Sequence, residues 1–147
     1  MKYIYYLFII LSLLSCKKTS QIKIGVLQLI EHNALDSAYK GFVDGLKEAG
    51  YEDGKNIIID YQNAQGEQAN CITIGQKFIN DKSDLILAIA TPAAQAIANM
   101  TKDIPILITA VTDPADSKLV ADNNAPGGNV TGTSDLTPVE AQIELLK

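Results

Sequence analysis

Short apolar runs alternate along the chain with stretches in which apolar residues recur every three or four positions. The runs predict five strands, at residues 22–29, 56–61, 84–90, 104–110 and 130–134. Most of them are too continuously apolar for a sheet with one face in water, so buried parallel strands are expected. The third run is the most continuously apolar and predicts the central strand.

The intervening stretches predict helices that lead from one strand to the next. Asn33 is the expected N-cap of the first helix, and Gly50 is expected at its C′ position. The second helix is predicted over residues 67–80. The third is predicted to begin with Thr91 as its N-cap and Pro92 at N1, where a missing N–H group costs nothing.

Alternating strands and helices predict an α/β fold, with a three-layer parallel sheet that carries helices on both faces. Right-handed crossovers, the default, place the first and third strands side by side. Residues 22–135 are expected to form one lobe. Residues 136–147 are expected to hold a crossover and the start of a truncated second lobe, because a capping box at 137–140 opens a helix that reaches Lys147 without a closing residue.

Residues 1–16 have the pattern of an export signal. Lys2 precedes an apolar run of about twelve residues, shorter than the roughly 18–20 that a membrane-spanning helix needs. The end of this segment, Leu13 to Cys16, resembles the lipobox of bacterial lipoproteins, whose cysteine is acylated and becomes the first residue after cleavage.

We therefore expect residues 1–15 to be a signal peptide and residues 16–21 to be a lipidated Cys16 with a tether. The protein is then exported and anchored by lipid to a membrane of the cell envelope. An ordinary secretory signal with an incidental cysteine is the alternative.

Composition narrows the range of functions. Apolar residues make up 47% of the chain and charged residues 20%, which is typical of a domain with a buried core. The net charge is −5 and arginine is absent, so nucleic acid is not an expected partner.

Few residues could catalyse a reaction or bind a metal ion. One histidine and two cysteines are too few for a zinc site, and neither a nucleophile elbow nor a glycine-rich phosphate loop is present. No enzymatic activity, metal or cofactor is therefore expected. Cys71 is predicted to be a small buried apolar residue.

The loops that follow the strands are the predicted binding site, because ligands of parallel sheets bind outside the carboxyl ends of the strands. Their polar residues are Gln28, Glu31, His32, Asn63, Thr91, Thr112, Asp113, Ser134 and Asp135. The helix start at Thr91 is the sharpest feature, since free N–H groups and the helix dipole attract an anion such as a carboxylate. A merely structural cap is the alternative there. His32 is interpreted as a hydrogen-bonding loop residue rather than a catalyst.

Several ungapped motifs occur in the same order as in a known family. They are IGVLQ at residues 24–28, EHxALD at 31–36, AxATPAAQA at 88–96, TAVTDP at 109–114 and PGGNVTGTSD at 126–135. With them, nearly all of residues 22–147 resemble the ABC-transporter substrate-binding proteins of the tryptophan/tyrosine type. The resemblance implies a larger, two-lobed, periplasmic-binding-protein-like (type I) fold, of which the chain covers the first lobe.

The resemblance further implies that the protein captures a small amino-acid-like solute outside the cell membrane and delivers it to an ABC permease. By position, the helix start at Thr91 would bind the carboxylate of the ligand, and Asp135 or Glu31 would face its ammonium group. Hydrogen bonds to the ligand would come from Gln28, Asn63, Thr112 and Ser134. An exported sensory or partner-binding lobe without a transport role is the alternative function.

Overall fold

A computed structural model of the chain describes residues 21–137 and 139–145. In chain order the elements are β1 (Ile22–Gln28), α1 (Asn33–Glu48), β2 (Ile57–Asn63), α2 (Gln68–Asn80), β3 (Leu85–Ile89), α3 (Thr91–Met100), β4 (Ile106–Val111), β5 (Val130–Ser134) and α4 (Val139–Glu144). Each predicted strand is present, with ends displaced by at most two residues. The predicted export signal, Cys16 and most of the predicted tether lie outside the described residues, as does Pro138 of the predicted capping box. Within the described ranges, no helix has both the length and the apolar character to span a membrane.

All five strands are parallel, and their order in the sheet is β2-β1-β3-β4-β5. β1 therefore lies beside β3, and β3 occupies the centre, as the apolar pattern predicts. Gln28 at the end of β1 is level with Asn63 of β2 and Ile89 of β3, so the carboxyl ends of these strands meet at one edge of the sheet. The predicted parallel α/β fold is confirmed.

The two faces of the sheet bury separate sets of apolar side chains because neighbouring strand residues point in opposite directions. Val26 faces α1 and lies in one cluster with Phe42 of that helix. Leu27 faces the other side, where it shares a cluster with Phe78 of α2 and Ile97 of α3. Helices therefore cover both faces, and the predicted three-layer architecture is confirmed.

Cys71 lies near the start of α2 and is fully buried, as predicted. Burial raises the pKa of its thiol, which keeps the sulfur protonated at neutral pH. Since the thiolate is the reactive form of cysteine, this residue contributes to packing rather than to chemistry.

The ends of α1 are set by one cap that differs from the prediction and one that agrees with it. His32, not Asn33, is the N-cap, because its Nδ1 atom accepts a hydrogen bond from the Ala34 N–H group at 3.2 Å. The His32 carbonyl also accepts from the Asp36 N–H group at 2.9 Å, so the helix begins one residue earlier than predicted. After the other end, Gly50 adopts a φ of 87°, as expected of a C′ glycine.

β2 forms one edge of the sheet, and the turn before it covers part of its outer side. The Asp53 carboxylate accepts a hydrogen bond from the Ile59 N–H group at 2.8 Å. The Gly54 N–H group donates to the Ile57 carbonyl at 3.0 Å. Two backbone groups on the outer side of β2 are therefore already bonded.

Candidate functional site

The carboxyl edge of the sheet carries the residues that the sequence predicts for the site. Gln28, Asn63 and Ile89 lie level on neighbouring strands, and Val111 pairs with Ser134 where β4 and β5 end. The site residues differ in how many bonds their side chains already make within the chain. That difference decides which of them are available to a ligand.

Gln28 is the most buried of the predicted site residues. Its side chain is fully enclosed, and its Nε2 atom donates to the Ile30 carbonyl at 2.9 Å and to Asp36 Oδ1 at 2.6 Å. Its other polar atom, Oε1, is buried and has no hydrogen-bond partner among the described residues. A buried acceptor without a donor is rare in native proteins, which makes Gln28 an unusual residue of this edge.

The loops after β1 and β2 hold their polar residues differently. Glu31 and His32 are exposed, and His32 serves as the cap of α1. Asn63 Oδ1 accepts from the Gln65 N–H group at 2.8 Å in a tight turn, where Gln65 and Gly66 have positive φ angles of 56° and 80°. Asn63 therefore stabilises its own loop.

The start of α3 differs by one residue from the prediction. Ala90, not Thr91, is the N-cap, because its carbonyl already accepts from the Ala94 N–H group at 3.0 Å. Thr91 and Pro92 are the first two helical residues, and the predicted cap role of Thr91 is wrong. Ala90 enters the helix with a φ of 85°, a left-handed angle that is costly for any residue but glycine. The helix start lies at the carboxyl edge, which is where the predicted anion site requires it to be. The anion site itself stays a prediction.

Hydrogen bonds join the loops after β4 and β5. Ser134 Oγ donates to the Thr112 carbonyl at 2.6 Å and accepts from the Leu136 N–H group at 3.2 Å. The Asp135 N–H group donates to the Val111 carbonyl at 3.1 Å, while its side chain is exposed. Ser134 thus holds the two loops together, and Asp135 extends from them into solvent.

Asp113 is bound into its own loop. Its Oδ1 atom accepts from Asn123 Nδ2 at 2.9 Å and from the N–H groups of Ala115 and Asp116 at 3.0 and 3.1 Å. The bond from Asn123, followed by that from the Asp116 backbone, lowers the pKa of the Asp113 carboxyl group. Asp113 therefore organises residues 113–123, a role that the sequence does not indicate.

Replacement of Asp113 by asparagine is expected to reduce the free energy of unfolding near neutral pH and to flatten its pH dependence in acid. Because the folded pKa lies below the unfolded one, the charged carboxylate stabilises the fold above about pH 4, and this contribution is lost as pH falls through the folded pKa. Urea unfolding of both proteins at about pH 7 and below about pH 4 measures it. A difference between them that does not shrink in acid would contradict this role.

The sequence does not indicate two features of the carboxyl edge. Asp36 belongs to a helix by its pattern, yet its carboxylate bonds to Gln28 at the end of β1. Its place in the first turn of a helix that starts at this edge is the signal that could have identified it. Ala110, like Ala90, has a positive φ, here 55°, which nothing in an alanine indicates beforehand.

The carboxyl edge thus combines hydrogen-bond donors with acidic acceptors. The first turn of α3 supplies N–H donors, whereas Glu31, Asp36 and Asp135 supply carboxylates. A small molecule that has both a carboxylate and an ammonium group suits such a mixture. In the part of the chain that the structure describes, no three His, Cys, Asp or Glu side chains lie together as a metal site requires.

The chain resembles known proteins over most of its length. A family model described as ABC transporter substrate binding protein matches residues 23–147. A curated relative, the tyrosine-binding protein of Clostridioides difficile (strain R20291), is 53% identical over 134 residues, which are 89% of this chain and 39% of the relative.

Two solved structures have the same fold over a similar range. The ligand-free, open structure of a substrate-binding protein with adhesive properties from Clostridium difficile has a TM-score of 0.81 and 55% identity, over 84% of this chain and 42% of that one. An ABC domain from Streptococcus pneumoniae in complex with L-Trp has a TM-score of 0.82 and 48% identity, over 87% of this chain and 43% of that one.

The chain spans only 39% to 43% of the length of these relatives, as the resemblance to one lobe of a larger protein predicts. The match to the family model includes every predicted ligand-binding residue, from Gln28 to Asp135. The chain therefore belongs to the family of ABC transporter substrate-binding proteins.

Proposed function

We propose that the chain is the first lobe of a protein that captures an aromatic amino acid, tyrosine or tryptophan, and presents it to an ABC permease. The convergence of polar loops on one edge of the sheet carries this proposal, because it offers a small polar molecule several hydrogen bonds. The name of the curated relative and the L-Trp in the pneumococcal relative support the class of ligand. Capture and release break no bond, so the protein acts without enzymatic activity or a cofactor.

In this proposal the ligand carboxylate lies at the start of α3. The positive end of the helix dipole and the first N–H groups favour an anion there, and the left-handed backbone at Ala90 fixes the direction of the helix. The Thr91 hydroxyl group, which makes no capping bond, is available to the same carboxylate. Asn63 and Thr112 are proposed to bond the remaining polar atoms.

The aromatic ring of the ligand is proposed to pack mainly against a second lobe. Among the described residues, Phe42 and Phe78 belong to the two cores, and the rings of Tyr39 and Tyr61 lie against each other, with centroids 4.6 Å apart. These four side chains are therefore already engaged within this lobe, and the fifth aromatic residue, Tyr51, lies before β2 at the opposite, amino edge of the sheet. A ring bound at the carboxyl edge would find its apolar contacts on the opposite side of the cleft.

The lobe alone is expected to bind tyrosine or tryptophan at least about tenfold more weakly than a two-lobed protein that contains it. A ligand closed between two lobes loses about 70% or more of its surface to protein contacts, which one lobe cannot provide. Calorimetry measures both affinities, using residues 17–147 and a chimera completed by the second lobe of the Clostridioides difficile relative. Equal affinity in the two proteins would contradict a site shared between lobes.

We also propose that the protein is a lipoprotein of the cell envelope, anchored through Cys16. Two or three acyl chains on one cysteine give stable membrane attachment, whereas a single chain does not. Cys16→Ser is expected to block processing or to release the protein, and mass spectrometry of the membrane extract should find an acylated N-terminal cysteine. Cys71→Ala is the matched control and should remain attached. A soluble, unmodified product that begins at another residue would contradict the anchor.

A further inference from the structure

We propose that the Asp36 carboxylate, held in place by Gln28, binds the ammonium group of the ligand. This inference rests on the proposed function and deepens it, because it defines the ligand as a primary ammonium compound. The family resemblance gives the same role to Glu31 or Asp135, so three carboxylates of this lobe can be compared directly.

The Gln28 amide has one favourable orientation. The two groups that face its Nε2 atom, the Ile30 carbonyl at 2.9 Å and Asp36 Oδ1 at 2.6 Å, are both acceptors and require a donor. The amide oxygen is therefore directed away from them. It is buried and receives no hydrogen bond from the described residues. An acceptor in need of a donor thus lies at the end of β1, on the side chain that holds Asp36.

Asp36 has one carboxylate oxygen tied to the fold and one that is not. Oδ1 accepts from Gln28, whereas Oδ2 has no hydrogen-bond or ion-pair partner within residues 21–137 and 139–145. Lys40, one turn later on α1, pairs with Asp44 instead. The Asp36 side chain is half-buried, so water screens its charge less than it screens an exposed one.

An ammonium group fits this pair of acceptors better than a neutral or anionic group does. It has three N–H donors and a positive charge, so one group can bond both the second oxygen of Asp36 and the Oε1 atom of Gln28. Because Oε1 is closed to solvent, the bond to it forms only after a local shift of the surrounding chain, whereas the Asp36 side chain is already half-exposed. The bond to a carboxylate is the stronger of the two, since both partners are charged.

Glu31 and Asp135 are less suited to this role. Both side chains are exposed, and neither carboxylate accepts a hydrogen bond from the described residues. Fixing such a side chain on a ligand costs rotamer entropy, and water weakens the attraction. Asp36 has already lost much of this freedom through its bond to Gln28.

The test compares L-tyrosine with its des-amino analogue, 3-(4-hydroxyphenyl)propanoate. Heteronuclear NMR titration of the full chain in detergent micelles detects weak binding and gives both affinities. The unaltered chain is expected to prefer L-tyrosine by at least about tenfold, the effect of one hydrogen-bonded charge. Asp36→Asn keeps the oxygen that accepts from Gln28 and removes the charge. Its preference should fall to about threefold or less, with binding of the analogue unchanged.

Glu31→Gln and Asp135→Asn are matched controls that each remove one carboxylate and should retain the full preference. Gln28→Met releases Asp36 without removing its charge and should give an intermediate preference. A full preference in Asp36→Asn, or its loss in either control, overturns the assignment to Asp36. A full preference in Gln28→Met overturns the role of Gln28. Equal binding of the two compounds by the unaltered chain overturns the ammonium class and the assignment to Asp36, whereas no binding of either compound by the chimera completed with a second lobe contradicts the proposed function as well.

Discussion

Replacement of Phe78 by alanine is expected to lower the free energy of unfolding by about 3–5 kcal/mol, a large share of the roughly 5–15 kcal/mol that stabilises a typical domain. The Phe78 side chain is fully enclosed and belongs to the cluster that joins α2 and α3 to the sheet. Its ring lies directly over Gly25 of β1, where an added Cβ atom would come within 2.7 Å of it. β1 is paired on both sides, so its backbone cannot move into the space that the ring leaves.

Ile72 on the same helix provides the matched control. Its side chain is 52% exposed, so Ile72→Ala is expected to change the free energy of unfolding by less than about 0.5 kcal/mol. Urea unfolding of the unaltered chain and both variants measures the two effects side by side. A loss below about 1 kcal/mol for Phe78→Ala would mean that the core beneath α2 collapses around the missing ring.

Gly132→Ala is expected to destabilise the protein by about 2–5 kcal/mol and to loosen β5 from β4. A Cβ atom on Gly132 would lie 2.0 Å from the Ile108 carbonyl oxygen and 2.7 Å from the Ile108 nitrogen. Both are backbone atoms of the paired strand, so neither can move aside as a flexible side chain could. The φ of Gly132, 156°, adds a further cost for any residue with a side chain. Because Ser134 and Asp135 follow closely, the loop after β5 should shift with the strand.

Gly128 is the control for this substitution, since a Cβ atom there would meet no atom within 4 Å. Gly128→Ala should therefore leave stability within about 0.5 kcal/mol of the unaltered chain. Urea unfolding measures both variants, and amide hydrogen exchange at Ser134 and Asp135 reports the loosening of β5. If both variants lost similar amounts of unfolding free energy, the close approach of Gly132 to Ile108 would not be what keeps β5 paired with β4.

The strands could be predicted closely because burial dictates their composition. A strand covered on both faces has to be apolar along its length, which identified β3 as central. β5 matches its predicted ends although only Val130 in it is buried. The starts of α1 and α3 were each displaced by one residue, to caps at His32 and Ala90. Adjacent residues can both begin a helix, and the choice depends on backbone angles that residue types do not reveal.

The candidate site could be located from the sequence, but the state of its side chains could not. The rule that ligands bind at the carboxyl ends of parallel strands identifies the loops and therefore most of the polar residues. It does not tell which of them are already engaged, such as Ser134 on the Thr112 carbonyl or Asp113 on Asn123. The sequence does not indicate that Asp36 belongs to the site, because helical periodicity assigns this residue to α1. Only the fold brings its carboxylate to Gln28.

The Asp53 carboxylate on the outer side of β2 bears on how copies of this protein behave when crowded. An exposed strand edge is a template on which another molecule can add a strand, the first step toward amyloid-like stacking. Here an approaching strand would find the Ile59 N–H and the Ile57 carbonyl already occupied. Ile58 and Tyr61 of the same strand are 41% and 37% exposed, so the edge has the apolar side chains that such stacking favours. The turn that contains Asp53 and Gly54 thereby withholds these two backbone groups from strand addition.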